Sequence, residues 1–138
     1  NCSFKPATPD PGPFNPTRSM RKTLVLGASL KPHRFSYKAV RELRMYRIPL
    51  VAVGLREGAI GDVPVLTGMP QIEGIHTVTL YIGTPRQPGF YDYIFSLKPE
   101  RIIFNPGTEN PEFMEMAMKK HIEVVANCTI VMLELGLF

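Results

Sequence analysis

The chain has 138 residues and a formal net charge of +4, with 44% hydrophobic and 20% charged residues. This length suits one domain with a sizeable core, and the composition is that of a folded globular protein rather than a disordered chain. No apolar stretch approaches the roughly 20 residues of a membrane-spanning helix, and no signal segment opens the sequence. We therefore expect a cytoplasmic location and no membrane partner.

Cysteine and histidine are sparse in this sequence. The cysteines are Cys2 and Cys128, and no CxxC pair is present. The histidines, His33, His76 and His121, show no metal-ligand spacing with each other or with cysteine. We therefore predict no disulfide framework and no bound metal.

The first nineteen residues differ in composition from the rest. They hold five of the fourteen prolines, which interrupt both sheet ladders and helix interiors. Met20 stands just before the first apolar run. We expect residues 1–19 to be an extended or disordered leader, introduced by cloning or belonging to an upstream segment. Residues 20–138 are expected to form a single domain.

From Lys22 onward, strand and helix patterns alternate along the chain. Apolar runs of strand character occupy residues 22–28, 50–54, 76–83, 101–107 and 122–128. Helical spacing of apolar residues occupies 35–47, 86–98 and 110–121, with Ser36 and Asn110 as predicted N-caps. Glycine and proline punctuate residues 55–75, which predicts a loop with little regular structure. The apolar tail, 129–138, indicates a short closing helix or a self-association surface compatible with a homodimer.

This alternation predicts an α/β fold. Five strands separated by helices imply crossover connections and a Rossmann-like, doubly wound parallel five-stranded sheet in a three-layer α/β/α arrangement. A ligand of such a fold binds at the carboxyl ends of the strands. Four of the five predicted strands end next to a glycine, in "GAS", "VG", "YIGTP" and "FNPG". Glycine at these ends suits a close approach of ligand to backbone.

The first predicted strand opens into the loop "GASLKPHRFS". The amides after Gly27 and the start of the next helix can donate hydrogen bonds to a diphosphate. The Ser29 and Ser36 hydroxyls can add donors, and Lys31 and Arg34 can neutralise negative charge. The loop therefore predicts a phosphate site.

The sequence after the second predicted strand bears on which phosphate compound binds. An NAD site would need GxGxxG in the first loop and an acid at the end of the second strand, and the sequence has neither. Gly54 stands at the acid's position, and Arg56 lies just beyond it. An arginine there fits a ribose phosphate, which both NADP and coenzyme A (CoA) carry.

The segments "VLGAS-x-KPHRFSYKAV", "VAVG" and "GDVPVL" resemble the small CoA-binding proteins, which are similar to the N-terminal domain of the succinyl-CoA synthetase alpha subunit. The resemblance spans roughly residues 21–128. The family's first-loop pattern is matched at Gly27, Ala28, Ser29, Pro32, Arg34, Ser36 and Ala39. Lys31 replaces the usual Asn, and the ends of later strands also depart from the pattern, at Gly54, Asn105 and Ala126.

The resemblance implies a protein that binds CoA or an acyl-CoA, with no established reaction for stand-alone members. The adenine would border Gly54 with its neighbours Val53 and Leu55, and the pantetheine arm would run between the third and fourth strand ends. The predicted binding residues are Gly27, Ala28, Ser29, Lys31, Pro32, Arg34, Phe35, Ser36, Val53, Gly54, Arg56, Ile82, Gly83, Thr84, Pro85, Asn105 and Gly107.

No Ser-His-Asp or Cys-His arrangement can be placed in the sequence, which favours a binding or regulatory module over an enzyme. One alternative is an enzyme that depends on NADP or another nucleotide. A second is a nucleic-acid-binding module, because residues 18–47 carry nine Lys or Arg and one acid, with Phe35, Tyr37 and Tyr46 available for stacking. We expect CoA as the first ligand, NADP as the second, and disfavour nucleic acid.

Overall fold

The computed structural model describes residues 20–138; the predicted leader, residues 1–19, lies outside the described residues. The strands of the described range are β1 (Thr23–Ala28), β2 (Leu50–Gly54), β3 (Gly58–Ile60), β4 (Val63–Leu66), β5 (Thr77–Leu80), β6 (Arg101–Phe104) and β7 (Glu123–Ala126). Its α-helices are α1 (Phe35–Met45), α2 (Tyr91–Ser96), α3 (Pro111–Lys119) and α4 (Thr129–Glu134). A 3-10 helix, Thr84–Phe90, runs directly into α2.

The strands form one mostly parallel sheet in the order β3-β4-β2-β1-β5-β6-β7. Every neighbouring pair is parallel except β3 and β4. One apolar cluster packs α1 and α4 on one face of the sheet, and a second packs α2 and α3 on the other. The predicted Rossmann-like α/β/α fold is therefore confirmed.

The predicted strand number was wrong, because the sheet has seven strands rather than five. The extra two, β3 and β4, form a hairpin inside the segment predicted to be a loop, with Gly61 at a positive φ of 61° in the turn. Strand β4 also pairs with β2 and buries Val63 and Val65. These strands are only three and four residues long, so pairing with β2 stabilises them more than any local pattern does.

The second predicted helix, residues 86–98, is α-helical only in part. Pro85 and Pro88 lack an amide proton, which disfavours regular α-helix, and the segment around them is a 3-10 helix. The α-helix proper begins at Tyr91. The tail 129–138 does contain a short helix, α4, which buries Ile130, Met132 and Leu133 against the rest of the domain.

The core follows the alternation of side chains along buried parallel strands. In β1, Leu24 and Leu26 pack in the cluster beneath α2 and α3, while Val25 and Ala28 pack in the cluster beneath α1 and α4. All four are less than 10% exposed. A strand buried on both faces gives a continuous apolar run, which is why the sequence identified β1 correctly.

The order in which successive strands are added to the sheet reverses at β1. From β1 the chain adds β2 and β4 on one side, and then returns to place β5, β6 and β7 on the other. The carboxyl ends of β1 and β5 therefore lie at the topological switch point, where open α/β sheets bind ligands. No helix within residues 20–138 has the length and apolar character to cross a bilayer.

Candidate functional site

A cleft of about 1260 Å³ opens at the carboxyl ends of β1, β2, β5 and β6. It lies at the switch point that the sheet order defines. Its volume exceeds the several hundred Å³ that a drug-sized ligand needs, so it can accept an extended molecule. We call this space the cleft.

The structure brings most of the predicted binding residues together on the wall of the cleft: Gly27, Ala28, Ser29, Lys31, Arg34, Phe35, Ser36, Val53, Gly54, Arg56, Ile82, Gly83, Asn105 and Gly107. Three predicted residues, Pro32, Thr84 and Pro85, do not line it. Pro32 stands in the first loop, and Thr84 and Pro85 begin the 3-10 helix. Whether each lining residue touches a ligand stays a prediction.

Several residues of the wall were missed by the sequence analysis: Leu30, His33, Met69, Tyr81, Arg86, Phe90 and Thr108. Leu55, expected beside the adenine, also lines the wall. Arg86 follows the end of β5 by a few residues, as Arg56 follows the end of β2. This similar placement could have identified Arg86 as a residue of the cleft. Met69 follows β4, a strand that the sequence did not reveal. Nothing in the sequence alone indicated that its loop would reach the cleft.

Gly27 lets two strand ends approach each other at the floor of the cleft. It has φ +98°, and a Cβ there would lie 2.9 Å from both the Tyr81 carbonyl carbon and Ile82 Cγ2. The parallel register of β1 with β2 shifts at this residue, between Leu26 and Ala28. Gly27 is therefore required by the chain's own packing before any ligand is considered.

Gly54 is constrained even more tightly. A Cβ at Gly54 would lie 2.1 Å from the carbonyl oxygen of Ala28, a rigid backbone atom. The absence of a side chain allows β2 to end beside β1 and brings the following residues, Leu55 and Arg56, to the cleft. The family pattern departs here, and the close packing supplies a structural reason for glycine.

Two serines shape the first loop through hydrogen bonds to backbone amides. The Ser29 amide donates to Ser36 Oγ at 3.1 Å, and the Lys31 amide donates to Ser29 Oγ at 3.1 Å. Each hydroxyl thus uses a lone pair within the loop and keeps its own proton for donation. That proton is the donor that the sequence analysis assigned to a phosphate.

The prediction that Ser36 is the N-cap of α1 was wrong. The N-cap is Arg34, and no side chain of the described range caps the first turn by accepting a hydrogen bond. Ser36 lies two residues after the N-cap, within the first turn, where its hydroxyl accepts from the Ser29 amide. The uncapped first-turn amides and the positive end of the 11-residue helix therefore face the cleft, whose wall includes Arg34, Phe35 and Ser36.

Positive charge dominates the wall of the cleft. Four of its residues are cationic, namely Lys31, Arg34, Arg56 and Arg86, and the described residues that line it include no Asp or Glu. All four side chains are exposed. None of them takes part in an ion pair between residues of the described range. The cleft thus offers uncompensated cations to an anionic ligand.

Asn105 lines the cleft, but both polar atoms of its side chain are hydrogen-bonded within the protein. Its Nδ2 donates to Thr79 Oγ1 at 2.7 Å and to the Leu80 carbonyl at 2.8 Å, and its Oδ1 accepts from the Thr129 amide at 2.9 Å. The residue is 1% exposed. Its side-chain amide therefore joins β5, β6 and α4, and its backbone carbonyl also accepts from the Thr108 amide and hydroxyl.

A second buried network joins the loops after β5 and β6. Gln87 Nε2 donates to the carbonyls of Ile82 and Thr108, and its Oε1 accepts from Asn110 Nδ2. Asn110 also caps α3, because its Oδ1 accepts from the Phe113 amide, as the sequence predicted. This network fixes one wall of the cleft before a ligand arrives.

Tyr81 contributes its ring to the cleft and keeps its hydroxyl in the protein. Burial raises the pKa of the hydroxyl well above its ordinary value, although the neighbouring Thr129 and Thr79 hydroxyls act in the opposite direction. Those two hydroxyls are bonded to each other at 2.7 Å. Burial therefore disfavours the phenolate, and the Tyr81 hydroxyl stays protonated at neutral pH.

The basic stretch 18–47 divides among different parts of the molecule; its first member, Arg18, lies outside the described residues. Lys31 and Arg34 reach the cleft. Arg44 forms a bidentate pair with Asp62, and Arg21 donates to the Phe138 carbonyl. The stacking candidates Tyr37 and Tyr46 pack against the core.

Comparison with known proteins assigns the chain to a family. The family described as "CoA binding domain" matches residues 21–134, and the chain belongs to this family. The resemblance stated from the first loop is thereby confirmed. No curated protein matches the chain.

Solved structures share the fold. A crystal structure described as "uncharacterized protein" has 44% identity and a TM-score of 0.83, covering 86% of this chain and 98% of that chain. A cell-free-expressed protein from Thermus thermophilus has 19% identity and a TM-score of 0.74, covering 86% and 90%. A hypothetical protein from Pyrococcus horikoshii OT3 has 20% identity and a TM-score of 0.74, covering 88% and 85%. The last two support the fold alone.

Proposed function

We propose that this protein binds CoA or an acyl-CoA in the cleft and holds it without catalysing a reaction, as a binding or regulatory module. The observation that carries the proposal is the group of three cations, Lys31, Arg34 and Arg56, beside an uncapped helix N-terminus, in a cleft whose described lining has no carboxylate. CoA carries a diphosphate and a 3'-phosphate, so it needs such a surface. Membership of the CoA-binding family supports the same ligand.

The diphosphate is assigned to the first loop. Amides at the start of α1 and the Ser29 and Ser36 hydroxyls supply donors, and Lys31 and Arg34 supply charge. Charge-assisted hydrogen bonds of this kind are about twice as strong as neutral ones. A helix N-terminus adds its own attraction for anions.

The 3'-phosphate and adenine are assigned to the end of β2. Arg56 is exposed there and makes no ion pair within residues 20–138, so its guanidinium is available for a phosphate. Leu55 and Met69 are 77% and 49% exposed on the same wall, and such apolar side chains can cover an adenine face. Val53 and Gly54 complete this part of the site.

The pantetheine arm is assigned to the space between the loops after β5 and β6. Gly83 has a φ of −66°, and a Cβ added there would meet Pro85 Cδ at 3.7 Å, an ordinary van der Waals distance, and no closer atom of the described chain. Neither backbone conformation nor packing among the described residues therefore demands a glycine there. A glycine at this position instead leaves room for the pantetheine arm.

Binding without reaction is the interpretation that the polar groups support. The buried amides near the cleft, those of Asn105, Gln87 and Asn110, are bonded inside the protein. Tyr81 is held protonated. These groups build the walls of the cleft and leave few side chains for acid–base or nucleophilic chemistry.

The first experiment is a thermal-stability comparison of the protein with CoA, dephospho-CoA, NADP and NAD at equal concentration. A ligand that binds only the native state stabilises it by RT ln(1 + [L]/Kd), about 2.7 kcal/mol at a hundredfold excess over Kd. We expect the largest shift with CoA and a smaller one with dephospho-CoA. A shift with NADP alone would instead favour the nucleotide-dependent enzyme.

An arginine variant tests the phosphate assignments. Arg56→Gln should reduce the CoA affinity about fivefold to twentyfold through the lost charged hydrogen bonds. It should leave the dephospho-CoA affinity nearly unchanged. Arg41→Gln, at an exposed cation outside the cleft, is the matched control. Equal losses for both ligands would contradict the assignment of Arg56 to the 3'-phosphate.

A further inference from the structure

We infer that the cleft has an anionic acyl subsite, in which Arg86 binds a carboxylate carried at the far end of the acyl group of an acyl-CoA. This inference rests on the proposed function and names the class of thioester that the protein prefers. Its basis is Arg86, a cation of the cleft that faces no phosphate of CoA in the proposed binding mode.

Arg86 stands on the opposite side of the cleft from Arg56. Arg56 follows β2 and Arg86 follows β5, and these strands flank β1 on its two sides. Neighbouring strands lie about 4.8 Å apart, so the two loops are separated by the width of the phosphate loop between them. The cleft therefore has cations at its centre and at both of its sides.

The phosphates of CoA can pair with only some of the cations of the cleft. Its diphosphate and 3'-phosphate lie at the nucleotide end, whereas pantetheine is uncharged and ends in a thiol. With the diphosphate at the first loop and the ribose at the end of β2, the pantetheine arm passes toward β5 and β6. An arginine on that side meets no anion from CoA itself.

The surroundings of Arg86 suit a carboxylate. Its side chain is exposed on the cleft wall and makes no ion pair within the described range. The nearby acid of the next loop, Glu109, accepts a hydrogen bond from the Gly107 amide at 2.8 Å and is not on the wall. Gln87, the following residue, anchors the segment at Ile82 and Thr108 and so holds the backbone of Arg86 in place. A guanidinium on a fixed backbone can pair with a carboxylate in bidentate geometry.

The test is calorimetric titration with thioesters matched in length. Malonyl-CoA is compared with propionyl-CoA, and glutaryl-CoA with pentanoyl-CoA, so that each pair differs in the terminal carboxylate. For at least one length we expect the carboxylated member to bind about threefold to tenfold more tightly. Arg86→Gln should abolish that preference, and its loss of affinity for free CoA should be much smaller than its loss for the carboxylated thioesters. Arg41→Gln should keep the preference.

The outcomes separate this inference from the function on which it rests. Equal affinities within both pairs, while CoA binds, would overturn the acyl subsite and leave CoA binding intact. A loss of free-CoA affinity in Arg86→Gln as large as the loss for the carboxylated thioesters would show that Arg86 contacts a phosphate, which also overturns it. Absence of binding by CoA and all thioesters would overturn both proposals.

Discussion

Three glycines at the cleft differ in whether contacts within the protein require them. Gly27 and Gly54 sit at strand ends where a ligand was expected to approach backbone, and both are also required by contacts within the protein. Gly83 is different, because its Cβ position meets only a distant proline ring among the described residues. A glycine at a strand end therefore indicates a ligand only where no neighbouring protein atom already excludes a side chain.

The first prediction concerns Gly54→Ala. The new methyl group would overlap the Ala28 carbonyl oxygen, so we expect a loss of about 2–3 kcal/mol in the free energy of unfolding, measured by urea denaturation. Gly89→Ala is the control, because no atom of the described chain lies within 4 Å of that Cβ position and its φ is not positive. If Gly54→Ala kept wild-type stability and lost only CoA affinity, the packing explanation would be wrong.

At the scale of elements, three helices share one way of ending. After α1 and α3, Arg47 and His121 adopt φ of 61°, and Lys98 after α2 adopts 51°. At α3 the His121 amide bonds to the Met118 carbonyl and the Ile122 amide to the Ala117 carbonyl, which is the Schellman pattern. Glycine is the usual residue at that left-handed position, and α4 has it, at Gly136.

We predict that His121→Gly stabilises the protein. A left-handed conformation costs an L-residue about 1–2 kcal/mol, and part of the gain is lost to the greater freedom of glycine in the unfolded chain, so we expect a net gain of about 0.5–1 kcal/mol in urea denaturation. His121 is exposed, and its replacement removes no buried contact within the described range. His121→Ala should give no such gain, and a similar gain from alanine would refute the backbone explanation.

At the scale of the whole molecule, one cleft collects several positive charges. The net charge is only +4, yet four cations line one cleft and meet no lining carboxylate in the described chain. Because exposed charges interact over roughly 10 Å at 0.1 M salt, Lys31, Arg34 and Arg56 should act together on a ligand that carries several phosphates. Long-range attraction and local contacts both depend on them.

The affinity for CoA should therefore fall with salt. Between about 50 and 500 mM NaCl we expect roughly a tenfold loss, measured by calorimetry, because screening weakens attraction between exposed charges. Dephospho-CoA, with fewer charges, should lose less over the same range. A CoA affinity independent of salt would show that apolar contacts, rather than the cations, hold the ligand.

The sequence by itself determined the α/β class, β1, β2 and the strands from β5 onward, and the positions of α1 and α3. Its assignment of a phosphate site to the first loop stays a prediction. These structural features follow from local patterns: continuous apolar runs for strands buried on both faces, helical spacing of apolar residues, and a cap at Asn110. The family resemblance was carried mainly by the contiguous first-loop segment, with shorter matches at "VAVG" and "GDVPVL".

Tertiary structure decided the remaining features, which depend on residues far apart in sequence. The β3–β4 hairpin exists because it pairs with β2, and the Gly54 contact arises because β2 ends against the Ala28 carbonyl. Asn105, predicted as a ligand residue, uses its side chain in bonds to Thr79 and Thr129. Arg86 reaches the cleft because β5 lies beside β1 at the reversal of the sheet. Local sequence patterns record which face of an element is apolar, but they do not record which other element will cover it.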